Sequence, residues 1–293
     1  CYEDKTVTYT QEVKTAPINV MAQNASKVFK TKDPDKFLFD VTTDGVNGET
    51  AEFTGSLTRE TGEDVGKGSN SNGTYQINKG SLALADKGRF LASNYKLKVV
   101  PGEFEITKSD ALALAVNGYE GTYDGKEHTG TASATINNEP ATDAKIVYLV
   151  HYSEDVEGMS EMPTIKDVIR NDNGEVGSMV ITVRVSLTNY KTVEKEMVLK
   201  VNPIAIVLTA ASDSKTADGS ALTNNNYSIT SGEFTGDEGF DTVTVTGSQT
   251  TVGHSANTIA YTLKSNTLAG NYDITTVDGT LTVPMINATL VAE

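Results

Sequence analysis

The sequence predicts an all-β fold of tandem β-sandwich modules, and three observations carry that expectation. Apolar and polar residues alternate at period two almost throughout: Ile181, Val183, Val185 and Leu187 are interleaved with Thr182, Arg184 and Ser186, and Ile259, Tyr261 and Leu263 with Ala260 and Thr262. That is the pattern of half-buried strands. Clusters of Gly, Asn and Asp interrupt the alternation every ~8–15 residues, as turns do in antiparallel sandwiches. The third observation is an internal repeat, which fixes architecture before any local argument.

The repeat has three markers in a constant order. Asn-Tyr pairs stand at Asn94-Tyr95, Asn189-Tyr190 and Asn271-Tyr272, and from each tyrosine an alternating run closes 11 residues later, at Ile106, Val201 and Val283. Upstream lie Val-Gly steps at Val65-Gly66, Val176-Gly177 and Val252-Gly253. Further upstream come turns: Lys27-Val28-Phe29 running into Asp33-Pro34, then Tyr123-Asp124-Gly125, then Ala217-Asp218-Gly219. The Val-Gly steps read as strand entries or bulges. Only Met159–Arg170 offers a helical turn, and Pro163 limits its length.

Composition bounds the function. A chain of 293 residues exceeds what one core ordinarily fills. Its formal charge of −15 leaves no electrostatic footprint for nucleic acid or an anionic lipid surface. No apolar window approaches the ~20 residues of a membrane span, so any signal or anchor is expected outside this piece. The single cysteine, Cys1, cannot form an internal disulfide; it reads as the lipid-bearing first residue of a lipoprotein or as a boundary of the piece, the second being favoured. His128, His151 and His254 have no metal-ligand spacing, and no serine or cysteine elbow accompanies His128. No enzyme is expected.

The segment from Pro17 to Lys108, with "SKVFKTKDPDKFLFDV", "GSLTRETGEDVG", "GTYQINKGSL" and "NYKLKVVPGEFEITK", resembles the MBG type of bacterial immunoglobulin-like module. The later segments, "GTYDGKEHTGTASAT" to "NYKTVEKEMVLKVNP" and "SKTADGSALTNNNYSITSG" to "NYDITTVDGTLTV", resemble related Tyr-Asp-Gly modules. The resemblance implies serial immunoglobulin-like sandwiches forming an elongated rod, in secreted or cell-wall-attached surface proteins such as adhesins. Two positions depart from the pattern: Phe29-Lys30 replaces the usual Tyr-Gly, and Ala217 the usual Tyr.

Modules are expected at 17–107, 108–203 and 204–283. Residues 1–16, with Val7 and Tyr9 alternating, read as the closing strand of a preceding module or an added strand on the first, and 284–293 as the start of a further module or a tail. Junctions at Ile106-Thr107-Lys108 and Asn202-Pro203-Ile204 leave almost no spacer, which restricts interdomain angles.

Among candidate residues, Tyr95, Tyr190, Tyr272 and Tyr123 read as core anchors whose hydroxyls find backbone partners. Gly125 and Gly219 supply the positive φ of tight hairpins. Acidic groups at Asp33/Asp35, Glu154/Asp155/Glu157 and Asp237/Glu238/Asp241 lack any dense calcium-loop pattern, so Ca²⁺ is a minor expectation and no cofactor the leading one. A Lys to Asn or Asp amide crosslink has no motif to select it. The first module carries the longest excursion, 28 residues from Gly66 to Asn94 against 12 from Gly177 to Asn189 and 18 from Gly253 to Asn271. It includes "KGSNSNG" and the pair Arg89 and Phe90, the candidate ligand-binding loop.

The leading expectation is a structural stalk, monomeric and extracellular, on a bacterial cell surface or wall. The alternative is an adhesin module recognising a host glycan or protein through the first module's loops. A third is an accessory segment of a secreted carbohydrate-active enzyme.

Overall fold

The computed structural model describes residues 2–3, 5–150 and 159–285. Strands account for nearly all the regular structure, with only two 3-10 turns, Ala92–Asn94 and Ala269–Asn271, among the described residues. The chain divides into two compact units: residues 1–113 with 136–143 and 186–192, and residues 114–135, 144–185 and 193–293. The division does not follow the repeat, because two loops of the second module belong to the first unit.

In the first unit, strand Ala16–Ala22 pairs in parallel with Tyr95–Val100 and antiparallel with Phe39–Thr43. The chain then kinks, and Ala25–Val28 pairs in parallel with Gly102–Thr107, which runs antiparallel to Tyr75–Asn78. The first strand is thus shared between the two sheets of a sandwich, and so is the last. Alternation drives the packing: Ile18, Val20, Ile77 and Phe104 are fully buried, while the intervening residues face out.

Pro101 marks the change of sheet, since it has no N–H for the ladder. Gly102 follows because a Cβ there would meet the Ala22 carbonyl oxygen at 2.7 Å. The Asn24 side chain at the kink accepts the Glu103 N–H at 2.8 Å.

The third module, in the second unit, repeats this plan. Ile204–Ala210 pairs in parallel with Tyr272–Val277, and Asp213–Ser214 in parallel with Gly279–Val283. Gly279 stands where Gly102 does, with the Ala211 carbonyl oxygen where its Cβ would be, and Ser212 Oγ accepts the Thr280 N–H at 3.0 Å. In the second module Tyr119–Thr122 pairs in parallel with Val193–Asn202, which is antiparallel to Met179–Ser186. Ile181, Val183, Met197 and Leu199 form its core.

These are tandem immunoglobulin-like β-sandwiches. Four local expectations change. The sandwiches are not purely antiparallel, because first and last strands pair in parallel. Residues 5–15 carry no strand, and Val7, Tyr9 and Val13 are exposed. Among the described residues of Met159–Arg170 there is no helical turn; Met159 bridges Tyr148, and Thr164–Ile165 pairs with His128–Thr129. Gly125 and Gly219 have φ of +76° and +82°, but each turn leads out of a parallel strand instead of closing a hairpin.

Candidate functional site

The Asn-Tyr repeat builds the same arrangement twice. In the first unit, the Val65 N–H donates to Asn189 Oδ1 at 2.9 Å, and Asn189 Nδ2 donates to Asp64 Oδ1 at 2.7 Å. In the second unit, the Val168 N–H donates to Asn271 Oδ1 at 2.8 Å, and Asn271 Nδ2 donates to Asp167 Oδ1 at 2.8 Å. One primary amide therefore grips the donor and the acceptor of an Asp-Val dipeptide that lies in the module before it. Asn271 and Val168 are both buried, so these bonds are sheltered from water.

Aromatic edges sit beside each amide. Phe29 meets Tyr190 edge-on, with centroids 5.4 Å apart, and Tyr123 meets Tyr272 edge-on at 5.7 Å. Phe29 and Tyr123 occupy equivalent positions, since the N–H of each donates to the end of its module's last strand, at Thr107 and Asn202. Lys215 makes the same bond to Thr282, so Lys215, not Ala217, holds the tyrosine position in the third module. Lys30, in the first module, adopts φ +68°, the conformation for which glycine is the usual residue.

The second clasp has further bonds. Glu238 accepts the Tyr123 hydroxyl on Oε1 at 2.6 Å and the Tyr272 hydroxyl on Oε2 at 2.8 Å. Burial first, and then the Glu238 carboxylate, raise the pKa of Tyr123, and burial likewise raises that of Tyr272. Both phenols stay protonated as donors. The Thr235 N–H donates to the Tyr272 hydroxyl at 3.1 Å, and Thr235 Cγ2 lies 3.0 Å from where a Cβ on Gly125 would stand. Arg170 adds bonds to the Gly270 carbonyl at 2.8 Å and to Asp273 Oδ1 at 2.7 Å.

Other candidates fall elsewhere. Tyr95 is buried, stacked on Phe90 at 4.6 Å; its hydroxyl takes the Val46 N–H at 3.1 Å and donates to Glu49 at 2.6 Å. Phe90 is 2% exposed and belongs to the core, which removes it from the candidate ligand-binding loop and leaves Arg89 exposed alone. A Phe in a Gly-rich excursion looked free to bind because the sequence could not show the Lys87–Phe90 bridge folding it back onto Tyr95. Of the acidic groups, Asp33 is engaged by Lys27 and Arg59, and Glu238 by the two tyrosines. Glu154, Asp155 and Glu157 lie outside the described residues. Among the described residues no three His, Cys, Asp or Glu side chains converge as a metal site.

Lys27, Asp33 and Glu63 form the closest approach to a crosslinking trio. Burial opposes the Lys27 charge, but the hydrogen bonds that its ammonium donates to Asp33 and Glu63 outweigh it and raise its pKa. Arg59, then Lys27, hold Asp33 below the ordinary carboxylate range against burial. Both groups are kept charged, the reverse of what amide condensation needs.

The repeat markers therefore need one reassignment. Val65 is structurally equivalent to Val168, not to Val176, which bridges Arg170. The asparagines were legible as repeat positions but not as ligands of another module; the recurrence of Asp-Val at 64–65 and 167–168 was the available signal.

Serial sandwiches joined through an amide clasp define a tandem immunoglobulin-like array. Residues 18–105, within the first module, match the family model of the MBG domain, YGX type. Among solved structures, the I9–I11 tandem of titin is similar at 11% identity and a TM-score of 0.24, over 90% of this chain and 97% of that one. No curated protein matches the chain. No helix among the described residues is long and apolar enough to cross a membrane.

Proposed function

We propose that this chain is a non-catalytic spacer segment of a bacterial cell-surface protein, holding a distal binding region away from the cell. The observation that carries this reading is the recurring clasp. Two of its buried polar side chains, Asn189 and Asn271, are committed to the neighbouring module and not to a cleft. A clasp of this kind resists bending at a junction that has almost no linker. MBG modules occur in bacterial surface proteins, which supports the extracellular setting.

The alternative, recognition through loops of the first module, has lost Phe90 as a contact and rests on Arg89. The test places the chain between a cell-surface anchor and a terminal epitope. Capture of the epitope by antibody-coated beads should fall when Asn189 and Asn271 are both replaced by Ala. Equal capture with and without the clasps would refute the spacer reading. Retention of a glycan or matrix protein by the isolated chain, lost in Arg89→Ala, would favour the alternative.

A further inference from the structure

The first module carries the receiving half of a clasp with nothing in it. Leu91-Ala92-Ser93-Asn94-Tyr95 has the local form of Leu268-Ala269-Gly270-Asn271-Tyr272: a 3-10 turn, the asparagine N–H bonded to the leucine carbonyl at 3.0 Å in both, and a strand starting at the tyrosine. The supporting turns match as well. The Glu49 N–H donates to the Val46 carbonyl at 3.0 Å, and the Glu238 N–H donates to the Thr235 carbonyl at 3.1 Å. Val46 and Thr235 each give an N–H to the tyrosine hydroxyl, which donates in turn to Glu49 or Glu238.

The difference lies in what is bound. Asn271 is buried and its amide is filled, whereas Asn94 is exposed and its side chain has no hydrogen bond among the described residues. Glu238 uses both oxygens; Glu49 uses Oε2 alone, leaving Oε1 without a donor among the described residues.

We infer that Asn94 and Glu49 receive a preceding immunoglobulin-like module, one that presents an Asp-Val dipeptide to the amide and a tyrosine hydroxyl to the carboxylate. This goes beyond the spacer reading and stands whether or not the array acts as one. The tyrosine is specified by the two filled clasps. Glu238 faces Tyr123, which has a hydroxyl to give, while Tyr190 faces Phe29, which has none, and no carboxylate meets the Tyr190 hydroxyl among the described residues. Glu49 therefore calls for tyrosine, not phenylalanine.

The chain's own third module does not fit. Residues 204–283 contain no Asp-Val dipeptide, and Lys215 replaces the aromatic residue. Head-to-tail self-association is not the occupant. The second module has every required group.

The test puts a second copy of residues 108–203 in place of residues 1–15, Pro203 joined to Ala16 as it is to Ile204. In the chain as it stands, Asn94→Ala should shift melting by less than about 1 °C; in the extended chain it should lower a transition by ~4 °C or more. Tyr123→Phe in the added copy should lower the same transition. An equal, small effect of Asn94→Ala in both chains overturns the inference.

If the added copy does not fold, a second extension uses residues 16–108, Lys108 joined to Ala16 as it is to Ser109. That copy brings Asp64-Val65 but Phe29 in place of tyrosine. Asn94→Ala must again destabilise it more than the unextended chain, and Glu49→Gln must cost the same in both. Failure of the Asn94 dependence in this chain also overturns the inference.

Discussion

Replacing Asn271 by Ala removes both arms of the second clasp at once, and the structure sets the size of the loss. The Val168 N–H is left without an acceptor in a buried position, which costs about 1–3 kcal/mol. Asp167 is exposed, so its carboxylate recovers water and adds little. A total near 2 kcal/mol corresponds to a roughly 30-fold loss of protection. The measurement is hydrogen exchange at the Val168 amide, which reads this one bond without assuming that the whole chain unfolds in one step. Asn271→Asp keeps an acceptor for Val168 but sets a carboxylate where an N–H now lies 2.8 Å from Asp167, so it should cost more than Ala. Asn189→Ala should cost less than Asn271→Ala, because Val65 is only half-buried. Asn94→Ala should stay within about ±0.5 kcal/mol in this chain. Unchanged exchange at Val168 in Asn271→Ala would show that the amide grips nothing of consequence.

Four further outcomes rest on single residues or groups. Phe90→Ala should destabilise the first unit by about 3–5 kcal/mol in urea melts, while Arg89→Ala stays near zero, since the first is core and the second exposed. Lys30→Gly should stabilise by about 1 kcal/mol, because its φ of +68° strains any residue with a Cβ. The Asp33–Arg59 pair depresses the Asp33 pKa, so its contribution is complete above the unfolded carboxyl value near ~4 and is lost as pH falls through the lower folded value. Asp33→Asn should therefore flatten the acid limb of first-unit stability and leave neutral pH dependence unchanged. Chelator should not move the melting curve; a large downward shift in EDTA would make the acidic groups cation ligands.

The strands were legible because burial on one face imposes period two, and Ile181, Val183 and Val185 could have no other partner than a core. Their pairing was not. Parallel pairing of Ala16–Ala22 with Tyr95–Val100 joins residues nearly eighty positions apart, and nothing local distinguishes a parallel neighbour from an antiparallel one. The sheet change at Pro101-Gly102 left a trace in the residue types, yet it reads as an ordinary turn until the Ala22 carbonyl is seen against Gly102. The stretch at Val7 and Tyr9 shows the converse failure: alternation without any described partner is not a strand.

The clasp was half legible for a different reason. Tyrosine in the Asn-Tyr pair has an intramodular explanation, a ring in the core, and that explanation absorbed the asparagine beside it as a turn residue. Positive φ at Asn189, +70°, would even have supported the turn reading. Asn271, however, is buried with its backbone already bonded, so its amide needs two partners that its own loop does not supply. A repeat position that a module's own fold cannot satisfy must be satisfied by a neighbouring module. By that criterion Phe29 and Tyr123 are each matched to the succeeding module, the first to a tyrosine without a described carboxylate and the second to Glu238. Module order is therefore written in the junction residues: exchanging Phe29 and Tyr123 would leave one hydroxyl facing Tyr190 without its carboxylate and Glu238 with one oxygen unfilled.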